Sequence, residues 1–201
     1  MGTDVAENLR EVLGNLPDGV QLVAVSKFHP EEYIKAAYAA GQRVFGESHE
    51  QELEQKRQVL PQDIRWHFIG HLQTNKVKYI APYIDMVEAV DTFKLMKEIN
   101  KQALKNNRII DILLELHIAA EETKYGFTLD DCRKMLKEGE WRDLKNVRIC
   151  GLMMMASNVD DKERIRKEMQ TAADFFDELK HDYFTDADYF KERSWGMSHD
   201  Y

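Results

Sequence analysis

Chemistry-bearing residues in this chain gather at the ends of apolar runs. Lys27 directly follows the run LVAVS at residues 22–26, so if that run is a buried strand, the lysine amine stands at the strand's C-terminal rim. A lysine among low-dielectric walls loses stabilisation of its ammonium form, and the free amine then condenses with an aldehyde or ketone. The plainer alternative is a lysine paired with a neighbouring acid. SWGMS at residues 194–198 brings two hydroxyls, Ser194 and Ser198, and a glycine-flanked backbone to the end of another segment. Such a composition suits a bound phosphate or a simple turn. His67 and His71 fall on a strand and the turn after it, so their spacing does not converge on a metal as helical ligands would. His67 either faces the interior, hydrogen-bonding or stacking on a ring, or is a satisfied core histidine. Thr74 or Asn75 caps the next helix, and Met153, in the run of three methionines at 153–155, either packs or lines a planar ligand.

The elements that must position these residues alternate. Short apolar strands are expected at residues 21–25, 43–45, 64–69, 86–90, 109–118, 147–154 and 193–197. Helical segments are expected at 30–40, 50–59, 74–80, 91–106, 129–137 and 161–180. Repeated strand–helix steps imply a parallel sheet, either open and doubly wound or closed as a barrel. The barrel is favoured, because Ser26, Lys27, Glu47, Ser48, His71, Asp91 and Ser198 all lie just past strand ends, which a barrel collects around one mouth. Seven strands are visible where a closed barrel of this kind has eight.

Composition excludes several classes. The 201 residues suit one core rather than two. A formal net charge of −8 argues against nucleic-acid or anionic-membrane partners. No apolar run approaches the roughly 20 residues of a membrane span, and the first ten residues lack a signal-peptide pattern, so the chain reads as cytoplasmic. Cys132 and Cys150 have neither CxxC nor zinc-type spacing and read as small buried apolar residues. Neither a nucleophile elbow nor a nucleotide phosphate loop is present.

Taken together, LVAVSK at 22–27, Phe45-Gly46-Glu47-Ser48, HFIGHLQTNK at 67–76, Lys124-Tyr125-Gly126-Phe127, Gly151-Leu152-Met153 and SWGMS followed by Asp200 resemble the pyridoxal phosphate homeostasis protein family. The match runs in order from near residue 20 to residue 201, and the HFIGxLQxNK segment is highly specific. The resemblance implies a (β/α)8 TIM barrel of pyridoxal phosphate (PLP) fold type III, akin to the alanine racemase N-terminal domain. It implies one PLP-binding domain over residues 1–201, lacking its C-terminal closing strand. In such a domain pyridoxal 5′-phosphate is held as a Schiff base on the lysine of Ala-Val-Ser-Lys, here Lys27. Ser194 and Ser198 would serve the phosphate together with a later Arg-Ile-Gly-Thr segment, whose arginine faces the pyridine nitrogen and weakens the ring as an electron sink. Ser48, His67, Met153 and Met197 complete the implied cofactor site, with no catalytic residue and no metal.

The chain departs from the family pattern in four places: Ser48 stands where asparagine is usual, Trp195 replaces a smaller apolar residue, His117 replaces a frequent asparagine, and Arg-Ile-Gly-Thr is missing. An arc of seven strands leaves two unpaired edges, so the chain as written is expected to be unstable or oligomeric, or to continue past Tyr201 in the native protein. The implied function is noncatalytic intracellular homeostasis of PLP (vitamin B6), with PLP-dependent apoenzymes as recipients and a monomeric or weakly homo-oligomeric state. The alternatives are a PLP-dependent amino-acid racemase, a lysine Schiff-base aldolase, and an interaction protein whose ligand site has decayed.

Overall fold

The computed structural model describes residues 2–118 and 125–196. Seven parallel strands follow one another in chain order, β1 (Ala24–Val25), β2 (Val44–Glu47), β3 (Arg65–Phe68), β4 (Met86–Val90), β5 (Ile110–Leu116), β6 (Val147–Met154) and β7 (Glu192–Ser194). Helices α2 (Glu31–Ala39), α3 (Glu50–Val59), α4 (Val77–Ile80), α5 (Phe93–Lys105), α6 (Leu129–Glu138) and α7 (Lys162–Tyr183) fill the crossovers, and α1 (Gly2–Asn15) lies against α2.

Side chains set the helix boundaries. Thr92 and Thr128 accept hydrogen bonds from the backbone N–H groups of Leu95 and Asp131, and Asp161 accepts from those of Glu163 and Arg164. Each cap satisfies donors that the first helical turn leaves unpaired. The segment expected to be helical at 74–80 is a 3₁₀ turn, Thr74–Lys76, before α4.

Register divides the sheet into two faces. Val25, Gly46, His67, Met86, Asp111 and Arg148 are successive partners across β1 to β6, so these positions share one face. Phe68, Val87, Ile112 and Ile149 share the other, where they join the large apolar layer beneath the helices. Met86, Leu113, Cys150 and Met153 form a separate small core on the first face.

That first face is concave. Neighbouring strands stand about 4.8 Å apart, so β4 and β7 would be about 14 Å apart in a flat sheet. Yet Ser194 on β7 reaches Glu88 on β4 at 2.7 Å. The sheet is therefore curled into a barrel wall, and among the described residues β1 and β7 are its two edges. At β1 the inward-facing Val25 is 46% exposed. Among the described residues, no helix is long and apolar enough to cross a membrane.

Candidate functional site

Strand direction sends all seven C-terminal ends to one rim. Lys27 occupies the turn after β1, half-buried, and its Nζ lies 6.0 Å from the centroid of the Phe28 ring. No carboxylate among the described residues pairs with that amine, so the bland expectation of a strand-end ion pair is not what the fold builds. Ser48 follows β2 and packs against Gly70. A Cβ on that glycine would sit 2.7 Å from the Ser48 Cβ and 2.8 Å from its carbonyl oxygen, so only glycine admits this approach of the two turns.

A buried polar cluster supports the turn that carries Lys27. Lys56 on α3, 6% exposed, donates to the Ser26 carbonyl at 2.7 Å, to Glu47 Oε1 at 2.6 Å and to Glu52 Oε1 at 2.7 Å. Ser26 Oγ also donates to Glu47 Oε1 at 2.7 Å, while Glu47 Oε2 has no hydrogen-bond partner among the described residues. Burial raises the Glu47 carboxyl above its usual range, against the pull of Lys56 and Ser26. Glu52 behaves oppositely: burial works to raise it, but hydrogen bonds from Lys56 and from the Phe28 N–H hold it below the usual range.

A second polar chain crosses the concave face. His67 Nδ1 lies 2.7 Å from Glu88 Oε1, His67 Nε2 lies 3.3 Å from Asp85 Oδ2, and Ser194 Oγ donates to Glu88 Oε2. Burial alone would favour the neutral ring, but hydrogen bonds and charge from Asp85 and Glu88 outweigh it and raise the imidazole to about 9. His67 is therefore an imidazolium donating from both nitrogens. Histidine, acid and serine occur together, yet the hydroxyl donates to the carboxylate rather than to the ring, so this is not a hydrolytic triad.

Glu115, in register with Met153 and through it with Ser194, is pushed up to about 7, by burial first and the charge of Asp91 second. Asp91 holds His71 at 3.1 Å, and the His71 ring stacks on Tyr125 with centroids 3.7 Å apart. Among the described residues no group of His, Cys, Asp or Glu is placed to hold a metal.

Lys27, Ser48 and Ser194 thus lie at the C-terminal rim, at the ends of β1, β2 and β7, with His67 and Met153 on the concave wall. Ser194, His67 and Glu88 form one connected unit, and Met153 belongs to the small apolar core. Met197, Ser198 and Lys124 lie outside the described residues. The acids Glu88 and Glu115 are the two interior groups that motif reading passed over. Their signal was available, since Glu88 is the lone charge of the apolar strand MVEAV and Glu115 stands between leucines in IDILLEL, positions charged residues rarely occupy unless paired.

Comparison with known proteins follows the same lines. The model of the alanine racemase N-terminal domain matches residues 3–201. The pyridoxal phosphate homeostasis protein of Aquifex aeolicus is 35% identical over 182 residues, covering 90% of this chain and 78% of that protein. PipY of Synechococcus elongatus, solved without PLP, superposes with a TM-score of 0.88 at 34% identity, covering 98% of this chain and 90% of PipY. With PLP bound, PipY matches at 0.85 and 33%, with the same coverage of each chain. A curled parallel wall shared along nearly its whole length with such proteins leaves one conclusion: the chain belongs to the pyridoxal phosphate homeostasis protein family, on the fold of the alanine racemase N-terminal domain.

Proposed function

We propose that this protein is a noncatalytic PLP carrier of a single barrel domain, residues 1–201, which holds the cofactor through Lys27 in vitamin B6 homeostasis and releases it to PLP-dependent apoenzymes. The carrying observation is the Lys27 amine, brought to the rim of the concave face with no carboxylate among the described residues to neutralise it. The PLP-bound PipY structure and the homeostasis role in the relatives' names support the same reading.

The donor set fits the cofactor in part. Bound PLP supplies an aldehyde for condensation with an amine and a phosphate for hydroxyl and backbone donors. Lys27 is the amine, and Ser48 at the end of β2 and Ser198 are the hydroxyls assigned to the polar groups. The Ser194 hydroxyl is committed to Glu88 and serves better to fix the end of β7 than to meet a dianion. His67 and Met153 form the wall beneath the rim. His67 supplies positive charge on a face that also carries Glu88 and Glu115.

A spectral titration with PLP tests this. The wild type is expected to shift the free-aldehyde absorption to that of an imine, and Lys27→Ala to leave it unshifted. An equal shift in Lys27→Ala, or none in the wild type, overturns the reading. A racemase instead requires acid and base groups on opposite faces of its substrate, and would exchange the α-proton of an amino acid for deuterium in D₂O. The carrier is expected to exchange none above free PLP.

A further inference from the structure

Phe28, the residue after Lys27, has φ 64°. That left-handed region is a true outlier for a bulky side chain. Packing does not impose it, because Phe28 is 76% exposed and the nearest ring, His49, is 5.3 Å away centroid to centroid. What holds the backbone there is polar: the His29 N–H closes the turn on the Ser26 carbonyl at 3.1 Å, a closure that a turn with negative φ at residue 28 also allows, and side chains of α3 grip the same peptide groups. The Phe28 N–H donates to Glu52 Oε1 at 2.6 Å, and the same oxygen accepts from Lys56, whose other two donors take the Ser26 carbonyl and Glu47. An ammonium has three donors, and here each is used. The peptide groups on both sides of Lys27 are therefore gripped from one helix, the Ser26 carbonyl by Lys56 directly and the Phe28 N–H through Glu52.

We propose that Glu52, aimed by Lys56, is the positioning residue for Lys27: it holds the Lys27–Phe28 turn in a conformation the chain would otherwise leave, and so keeps the amine at the rim. The proposal rests on the reading of Lys27 as the cofactor-bearing amine. A purely structural alternative exists, in which Glu52 and Lys56 form an i, i+4 pair that only steadies α3. The two differ in one respect. If Glu52 exists to enforce a positive φ, a residue that adopts positive φ freely makes it dispensable.

The test is a cycle of Glu52→Ala and Phe28→Gly, with Glu52→Gln retaining the acceptor oxygen. It is read by PLP titration and by hydrogen exchange of the residue-28 amide in the cofactor-free protein. Glu52→Ala is expected to accelerate that exchange and to weaken PLP binding by a factor of about 5–30, the scale of a left-handed conformation's cost for an L-residue. Glu52→Gln is expected to stay near wild type. In the Phe28→Gly background the penalty of Glu52→Ala is expected to shrink to about two- or threefold, since glycine carries no left-handed penalty. An equal penalty in both backgrounds, or none in either, overturns the clamp while leaving the role of Lys27 intact. A wild type that forms no imine overturns the role of Lys27, and the clamp's purpose with it.

Discussion

Raising the pH should weaken the pairing of His67 with Asp85 and Glu88 that ties β3 to β4, and the histidine sets where. Its imidazole is raised from 6.5 to about 9 in the folded chain by Asp85 and Glu88, despite burial. A raised value means that the folded state holds the proton more tightly than the unfolded state. The stabilisation is therefore complete below about pH 6.5 and is lost as the pH rises through about 9. At about 1.4 kcal/mol per pH unit, the gap amounts to about 3 kcal/mol, a large share of the roughly 5–15 kcal/mol by which a typical domain is stable. Urea unfolding of the wild type and of His67→Gln at about pH 6 and about pH 10 reads this directly, because lysines and tyrosines that titrate elsewhere are common to both chains. The stability difference between the two is expected to narrow by about 3 kcal/mol over that interval. A constant difference would refute the charged imidazole and its pairing with Asp85 and Glu88.

Gly151 has φ 154°, and a Cβ there would lie 1.9 Å from the Glu192 carbonyl oxygen. Gly151→Ala is therefore expected to detach β7 and cost at least about 3 kcal/mol in urea unfolding, whereas an unchanged midpoint would contradict the β6–β7 register. Burial and Asp91 push Glu115 up to about 7. An acid raised in this way destabilises the fold progressively as pH climbs from its ordinary 4.5 to about 7, so Glu115→Gln should add about 2–3 kcal/mol at about pH 8 and little at about pH 4. Burial pushes the Cys132 and Cys150 thiols up to about 12, so both should resist a thiol-specific disulfide reagent until the protein is unfolded in denaturant. Rapid native labelling would place them on the surface.

Much of this architecture was legible because periodicity reports burial. The expected bounds of α3, β4 and β6 agree with the structure, and each is an apolar or Glu/Gln-rich stretch with abrupt ends. β1 is shorter than the run that announces it: only Ala24 and Val25 pair with β2. α1 was not anticipated, although Val5, Leu9, Val12 and Leu13 recur at helical spacing. Lys27 could be singled out by position alone. His67 proved to be both interior and satisfied, two descriptions that had stood as alternatives. The Glu52–Lys56 pair was invisible for a physical reason: at i, i+4 on a highly charged helix it looks like a solvated face, and only the tertiary fold buries Lys56 beneath the Lys27 turn. The link from Ser194 to Glu88 spans 106 residues and depends on curvature that no local pattern encodes.

The claim on which the functional reading turns is that Lys27 is the amine that bears the cofactor. Incubation of the protein with PLP, reduction with borohydride, proteolysis and peptide mass mapping test it most directly. A pyridoxyl-phosphate adduct is expected on the peptide containing Lys27 alone. An adduct carried by other lysines with Lys27 unmodified, or no adduct at all, would contradict it.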